Sequence, residues 1–348
     1  MRVLVTGSAG FIGSAICRAL EAAGEEVVRV DVMLPAAHGS ATAPAGTHRL
    51  DVRDAASAGE WATLLDGIDV VCHQAAVVGA GVTVADLPTY ASHNDLGTAA
   101  LLAAMAAQGV DRLVLASSMV VYGEGRYACA EHGEQRPGPR PPADLDAGRF
   151  EVGCPRCGQA LSWRPVPEEA PMEPRSSYAA SKVAQEHYAS AWARQAGGSV
   201  VALRYHNVYG PGMPRDTPYA GVAALFRSHL ERGESPQVFE DGGQLRDFVH
   251  ADDVARANLA ALTSALAAGP ETVAAYNVAS GSPVTIGEVA ALLGARTGIA
   301  PTVTGGYRLG DVRHIVASPE RAAADLGFRA QIAPAEGLAE FATAPLRA

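Results

Sequence analysis

The chain has 348 residues, 48% of them apolar, enough to bury the core of one large domain with a smaller lobe. Its formal net charge is −10 and no Lys/Arg-rich run occurs, which argues against nucleic acid or an anionic membrane as its partner. No apolar run is long enough to span a bilayer, and MRVLVTGSAG enters a strand without the basic-then-apolar layout of a signal peptide, so a cytoplasmic protein is expected.

In chain order, VLVTG (3–7) reads as a strand and Phe11 to Ala23 as a helix. EVVRVD (26–31) is a second strand and THRLDV (47–52) a third. IDVVCHQAA (68–76) is a fourth, continuously apolar as a strand buried on both faces should be. A long helix spans 89–108 and DRLVLASS (111–118) is the fifth strand. Residues 124–170 then interrupt the pattern with many prolines and glycines. A helix resumes near Ser176 and runs to about Gln195, and SVVALRY (199–205) is another strand. Helices are expected near 218–232, 252–267 and 285–297. The βαβ alternation predicts an α/β fold built on a doubly wound parallel sheet. The expected division is 1–123 with 171–206 for the sheet domain, 124–170 as an insert, and 207–348 mainly as a smaller C-terminal substrate lobe.

VTGSAGFIGSAI places Gly7, Gly10 and Gly13 between the first strand and first helix. Gly7 permits the tight turn, Gly10 lets backbone approach a pyrophosphate, and Gly13 lets helix and strand pack closely. The helix start then offers free N–H groups to phosphate. Asp31, closing the next strand, can accept from the adenosine ribose hydroxyls and would repel a 2′-phosphate. The following VMLP supplies no basic partner, so NAD is favoured over NADP. Asp51 and Val52 are placed to meet the adenine, with a turn carboxylate as the plainer reading of Asp51.

Tyr178 and Lys182 sit four apart in YAASK and share a helix face. A free phenol, with a pKa of about 10, is a poor base at neutral pH. A nearby ammonium and the positive nicotinamide would stabilise the phenolate, letting Tyr178 take a proton from a substrate hydroxyl. Strand C-terminal ends are where doubly wound sheets bind ligands, which selects Ser118 as the hydroxyl bridging substrate and Tyr178.

Three of the five cysteines fall inside the insert. Cys129, His132, Cys154 and Cys157 form C-x2-H-x21-C-x2-C, a ligand set for a closed tetrahedral Zn²⁺ site. Free thiols in a loop, or a Cys154–Cys157 disulfide, are the alternatives. The insert has little apolar content of its own, so a metal would fold it as a flap beside the substrate. Cys17 and Cys72 read as small core residues, and His73 as structural. His250 and Asp252–Asp253 read as a helix cap.

Nearly end to end, over about 1–122 and 171–330, the chain resembles the extended short-chain dehydrogenase/reductases that epimerise nucleotide sugars with NAD. The resemblance rests on VTGSAGFIGS, HQAA (73–76), SSMVVYG (117–123), YAASK, LRYHNVYGPG (203–212), GGQLRDFVHADDV (242–254), YNVASG (276–281) and RLGDVRH (308–314). It implies a Rossmann-type domain with NAD held by Gly7, Gly10, Phe11, Ile12, Gly13, Asp31, Asp51, Val52, Ala75, Ala76, Asn94, Ser117, Tyr178, Lys182 and Tyr205. It implies that Lys182 also holds the nicotinamide ribose. It further implies a dTDP- or UDP-hexose held by Ser118, Asn207, Phe239, Arg246 and Arg308, with the two arginines clamping the diphosphate. A homodimer is common in the family. Related dehydratases carry an Asp-Glu pair after the serine, and related decarboxylases a glutamate. Met119 and Val120 stand there, which leaves simple C4 redox cycling. Uronate epimerases usually have threonine at Asn207. The insert and VFEDGGQLRDFVH look most like bacterial dTDP-L-rhamnose 4-epimerases. UDP-glucose or UDP-glucuronate epimerases, a 4-ketoreductase or dehydrogenase, and a non-catalytic NAD sensor stay open. His206, where the family often has an aromatic, is a lesser candidate for substrate contact.

Overall fold

A computed structural model describes residues 1–39, 42–57, 59–79, 83–215 and 221–347. Seven strands form a parallel central sheet. In chain order they are β1 (Arg2–Thr6), β2 (Glu26–Val30), β3 (Thr47–His48), β4 (Val70–His73), β5 (Arg112–Ser118), β6 (Ser199–Tyr205) and β7 (Thr272–Val278). Across the sheet the order is β7-β6-β5-β4-β1-β2-β3, so the chain winds outward from β1 in both directions. The register aligns Ser118 with Tyr205 and Thr6 with His73, bringing four strand ends to one edge.

Helices α1 (Phe11–Ala22), α2 (Gly97–Ala107), α3 (Ser177–Ala196), α4 (Val222–Glu231), α5 (Ala251–Ala267) and α6 (Ile286–Thr297) complete the frame. Helices α1 and α5 cover one face of the sheet over Val3, Val5, Val114 and Val201. Helices α2 and α3 cover the other over Leu4, Val71, Leu113 and Leu115. Burial on both faces explains the unbroken apolar runs in these strands. A third core, around Tyr209, Phe226, Phe248 and Phe341, forms the smaller lobe. None of the helices of the described residues is long and apolar enough to cross a membrane.

Several boundaries differ from expectation, each for a local reason. The third strand stops at His48, because Asp51 accepts from Arg53 N at 2.9 Å and turns the chain into a 3-10 helix over Val52–Ser57. The fourth strand ends at His73, where the Thr6 hydroxyl accepts from the N–H groups of Gln74 and Ala75. The helix of 89–108 begins at Leu87 and contains a π-helical turn over Ala91–Leu96 before α2. The start of the expected helix at 218–232 lies partly outside the described residues. The chain does not divide cleanly at 207, because α5 and the unforeseen edge strand β7 return to the central sheet.

The insert is more than a loop. Arg126–Cys129, Gly133–Gln135 and Ser162–Arg164 form a three-stranded antiparallel sheet. Tyr127, Cys129, Val152, Cys154 and Leu161 make a small buried core, with Trp163 packed against it.

Candidate functional site

At the end of β1, Gly7 has φ +65°, and a Cβ there would lie 2.8 Å from Ala75 N. Gly13 is tighter: its Cβ would fall 2.0 Å from Gly7 O, so α1 meets the turn only through bare backbone. Gly10 is under less pressure, with Gly7 O at 3.1 Å from a built Cβ. No side chain caps α1 and no acid lies in its first turn, so the N–H groups around Phe11 and Ile12 remain available to an anion.

Asp31 follows β2, buried at 6% exposure. It accepts from Ala9 N at 3.0 Å and Met33 N at 2.8 Å, and pairs with His38 Nε2 at 3.3 Å. Burial opposes its ionisation, but His38 and the two N–H groups outweigh this and hold its pKa below the usual carboxylate range. The basic partner absent from VMLP thus arrives from His38. Asp51 is engaged by Arg53 in a fork, with the guanidinium at 2.5 and 3.0 Å, which is the turn-carboxylate role. Val52 packs on Gly97. Ala75 and Ala76 follow β4, within the turn that faces Gly7.

Ser118 ends β5 close enough to the Tyr178 phenol to favour its ionised form. Tyr178 lies in the first turn of α3, whose start is fixed by Ser176 accepting from Ala179 N at 3.1 Å. Burial pushes the phenol above its ordinary pKa, with Ser118 opposing and Tyr90 adding to the rise. Tyr90, which sequence reasoning passed over, packs its ring 5.9 Å from that of Tyr178. Lys182 is 2% exposed and donates to Ala116 O at 2.9 Å. Its Nζ stands 5.8 Å from the Tyr178 ring centroid. Burial brings Lys182 down to about 8, with Glu186 opposing. The ammonium alone therefore does not activate the phenol. Tyr178 is held in its protonated form.

Asn94, wholly buried in the π-helical turn, bonds both backbone groups of Val77 at 2.8 and 2.9 Å and donates to Ser181 at 2.9 Å. It ties the loop after β4 to α3. The Ser117 hydroxyl donates to Glu186, and the Tyr205 hydroxyl meets Gln74 and Asn258, so both are paired inside the fold. Beneath them lies a buried ion pair the sequence did not reveal: Arg204 grips Glu186 at 2.7 and 2.9 Å and also bonds Tyr122. His73 bridges Thr6 and Thr98 at 2.7 and 3.0 Å, a structural place, and His250 caps α5.

On the smaller lobe, Arg246 donates to the carbonyls of Leu245, Val312 and Arg313. Burial lowers its pKa, against the nearby Asp311, Tyr127 and Glu124. Among the described residues no carboxylate forms an ion pair with it, an arrangement that suits an incoming anion. Arg308 stacks on Phe239 with 4.8 Å between guanidinium and ring. The side-chain oxygen of Asn207 is buried without a hydrogen-bond partner among the described residues. His206 is buried, which brings its pKa down to about 4 and keeps it neutral. A cavity of about 240 Å³ opens beside the insert between Tyr122–Arg126 and Val166–Arg175; Ser118, Tyr178 and Lys182 do not line it.

In the insert, the ligand atoms of Cys129, His132, Cys154 and Cys157 all lie within 4.8 Å of one another. Cys129 Sγ is 3.5 Å from His132 Nδ1 and 3.8 Å from Cys157 Sγ, and Cys154 Sγ is 3.7 Å from His132 Nδ1. A tetrahedron with Zn–S near ~2.3 Å and Zn–N near ~2.0 Å has edges of roughly 3.8 and 3.5 Å. The donor set therefore fits zinc in both chemistry and spacing. The cysteines are free thiols, so no disulfide joins Cys154 to Cys157.

The sequence pattern described as the NAD dependent epimerase/dehydratase family matches residues 3–142 and 158–295, leaving out the stretch that holds Cys154 and Cys157. A dTDP-L-rhamnose 4-epimerase of Burkholderia thailandensis is 34% identical, over 98% of this chain and 94% of its own. The UDP-glucose 4-epimerase of Thermus thermophilus, solved with NAD, is 32% identical with a TM-score of 0.75, over 98% of both chains. MoeE5, solved with UDP-glucuronic acid and NAD, is 31% identical with a TM-score of 0.75, again over 98% of both. Similarity this extensive agrees with the glycine turn and the Ser118–Tyr178 pair, and the chain belongs to the NAD dependent epimerase/dehydratase family.

Proposed function

We propose that the protein is an NAD-dependent nucleotide-sugar 4-epimerase whose substrate is dTDP-L-rhamnose. The observation that carries the reaction is the meeting of Ser118 and Tyr178, both half-buried, above the buried Lys182, with Met119 and Val120 following, which offer no further acid or base. The substrate follows the 34% identity to the rhamnose enzyme. UDP-glucose is the second reading, favoured by the near-equal similarity to the Thermus enzyme.

Bound NAD supplies the hydride acceptor and donor. Ser118 receives the C4 hydroxyl and hands its proton toward Tyr178 as the C4 hydrogen leaves as hydride. Burial holds Tyr178 protonated at rest, so a positive nicotinamide beside it would be needed to release that proton to solvent and leave the phenolate that receives the C4 proton. Lys182 fixes the floor of the site through Ala116 O. The 4-keto sugar then turns and takes hydride on its other face, while Tyr178 returns the proton to the C4 oxygen. Proton and hydride both come back, so the cofactor is unchanged overall. Asp31 and the start of α1 would hold the dinucleotide, while Asn207, Arg246 and Arg308 would hold the diphosphate.

The reading includes a structural Zn²⁺ on Cys129, His132, Cys154 and Cys157, which would fix the insert fold. It also includes a cytoplasmic homodimer, supported by Val84, Leu87, Leu96 and Tyr188, exposed apolar residues on the segment leading into α2 and on α3. Light scattering should give twice the chain mass of 35.8 kDa. The reaction is tested by incubating the NAD-loaded protein with dTDP-L-rhamnose, UDP-glucose and UDP-glucuronate separately and following C4 configuration by proton NMR. No epimer from any of them would falsify the epimerase reading, and stoichiometric NADH would replace it with a dehydrogenase.

A further inference from the structure

The insert reaches the smaller lobe at several points far apart in sequence. Tyr127, fully buried two residues before Cys129, receives a bond from His314 N at 3.0 Å and approaches His314 O at 3.3 Å. A Cβ on Gly125 would fall 1.9 Å from His314 O, so the two backbones touch. Glu151, three residues before Cys154, binds Arg313 Nε and His314 Nε2, each at 3.0 Å. Arg140 forks onto Glu240 at 2.7 and 3.0 Å and donates to Asp311 O at 2.8 Å. Arg313, 1% exposed, also meets Glu240 at 2.9 Å and Asp241 at 2.7 Å.

The segments gripped in this way are 240–241 and 311–314. Both adjoin the candidate diphosphate residues. Phe239, under Arg308, directly precedes Glu240. Arg246 bonds the carbonyls of Val312 and Arg313 at 2.6 and 3.0 Å. We propose that Tyr127, Arg140 and Glu151 are positioning residues for the substrate's diphosphate. They hold 311–314 and Glu240 in place, and through these they aim Arg246 and Arg308. The insert thereby sets affinity for the nucleotide and leaves the hydride step untouched. This inference rests on the nucleotide-sugar reading above. Arg313 and Glu240 are buried while Glu151 is half-exposed, so removing the Glu151 charge leaves the Arg313 guanidinium less compensated, and removing the Tyr127 hydroxyl leaves the buried His314 N–H unpaired; each substitution should have a measurable effect.

The experiment compares NAD-loaded wild type with Glu151→Gln and Tyr127→Phe. UDP and dTDP are titrated calorimetrically, and KM and kcat are measured on the epimerised sugar. Each variant should weaken binding of the preferred diphosphate and raise KM by about tenfold. kcat should stay within about threefold, with NAD content unchanged. Arg136→Ala is the control: this exposed insert residue pairs with Glu173 at 3.7 Å, touches none of Tyr127, Arg140 and Glu151 among the described residues, and should alter neither constant. Unchanged affinity in both variants, or a fall in kcat without a rise in KM, overturns the inference and leaves the epimerase reading intact. Wild type that binds neither UDP nor dTDP overturns the reading itself, and this inference with it.

Discussion

At the scale of single residues, the site keeps one titratable group, Lys182, at a cost to the fold. Lys182 has a pKa of about 8 when folded, below the unfolded value near ~10.4, because burial disfavours its charge. A base with a lowered pKa burdens the folded state while charged, that is, below about pH 8, and the burden lifts as pH rises toward ~10. Lys182→Met should therefore raise the melting temperature of the cofactor-free protein at pH 7, by up to about 3 kcal/mol of stability, while turnover is lost. Calorimetric melts across pH 7–10 check this: wild type should gain stability on that climb and the variant should not. Tyr178→Phe should abolish turnover and leave NAD bound; surviving activity would put the base elsewhere. Ser118, Tyr178 and Lys182 were legible because strand end and helix spacing declare them locally. Tyr90 and His38 were not, since only the folded chain brings them to Tyr178 and Asp31.

At the scale of elements, the glycine turn shows how sequence spacing becomes geometry. Gly13 was read as allowing close packing, and its built Cβ lands 2.0 Å from Gly7 O. Gly13→Ala should lower stability by about 2–4 kcal/mol and empty the dinucleotide site, seen as a reduced melting temperature with little NAD co-purifying. An unchanged melt would mean that α1 can slide away from β1. The sheet was legible through its buried apolar strands. β7 was not, because this edge strand begins exposed at Thr272 and Val273 and carries no continuous apolar run. The π-helical turn was equally hidden, since Asn94 is drawn in by Val77 and Ser181 rather than by its neighbours in sequence.

At the scale of the whole molecule, the insert is a third body fastened to the lobe that carries Arg246 and Arg308. Its ligand spacing was legible, but the Arg140–Glu240–Arg313–Glu151 network was not, since its members lie up to 173 positions apart. Purified protein should contain close to one zinc per chain, and strong chelation should expose Trp163 and red-shift its emission while the central sheet keeps its circular dichroism. Protein without metal, with Trp163 already shielded, would remove zinc from the account. A metal joining Cys129 to Cys157 would have one more effect, visible in polymer terms. Roughly sixty residues of chain connect Ser118 to Tyr178, and such a metal would short-circuit about half of them. Halving a loop recovers only about 0.6 kcal/mol of closure entropy. The Ser118 and Tyr178 hydroxyls are therefore brought together by the β5 edge and α3, and the chain between them was free to grow a domain of its own.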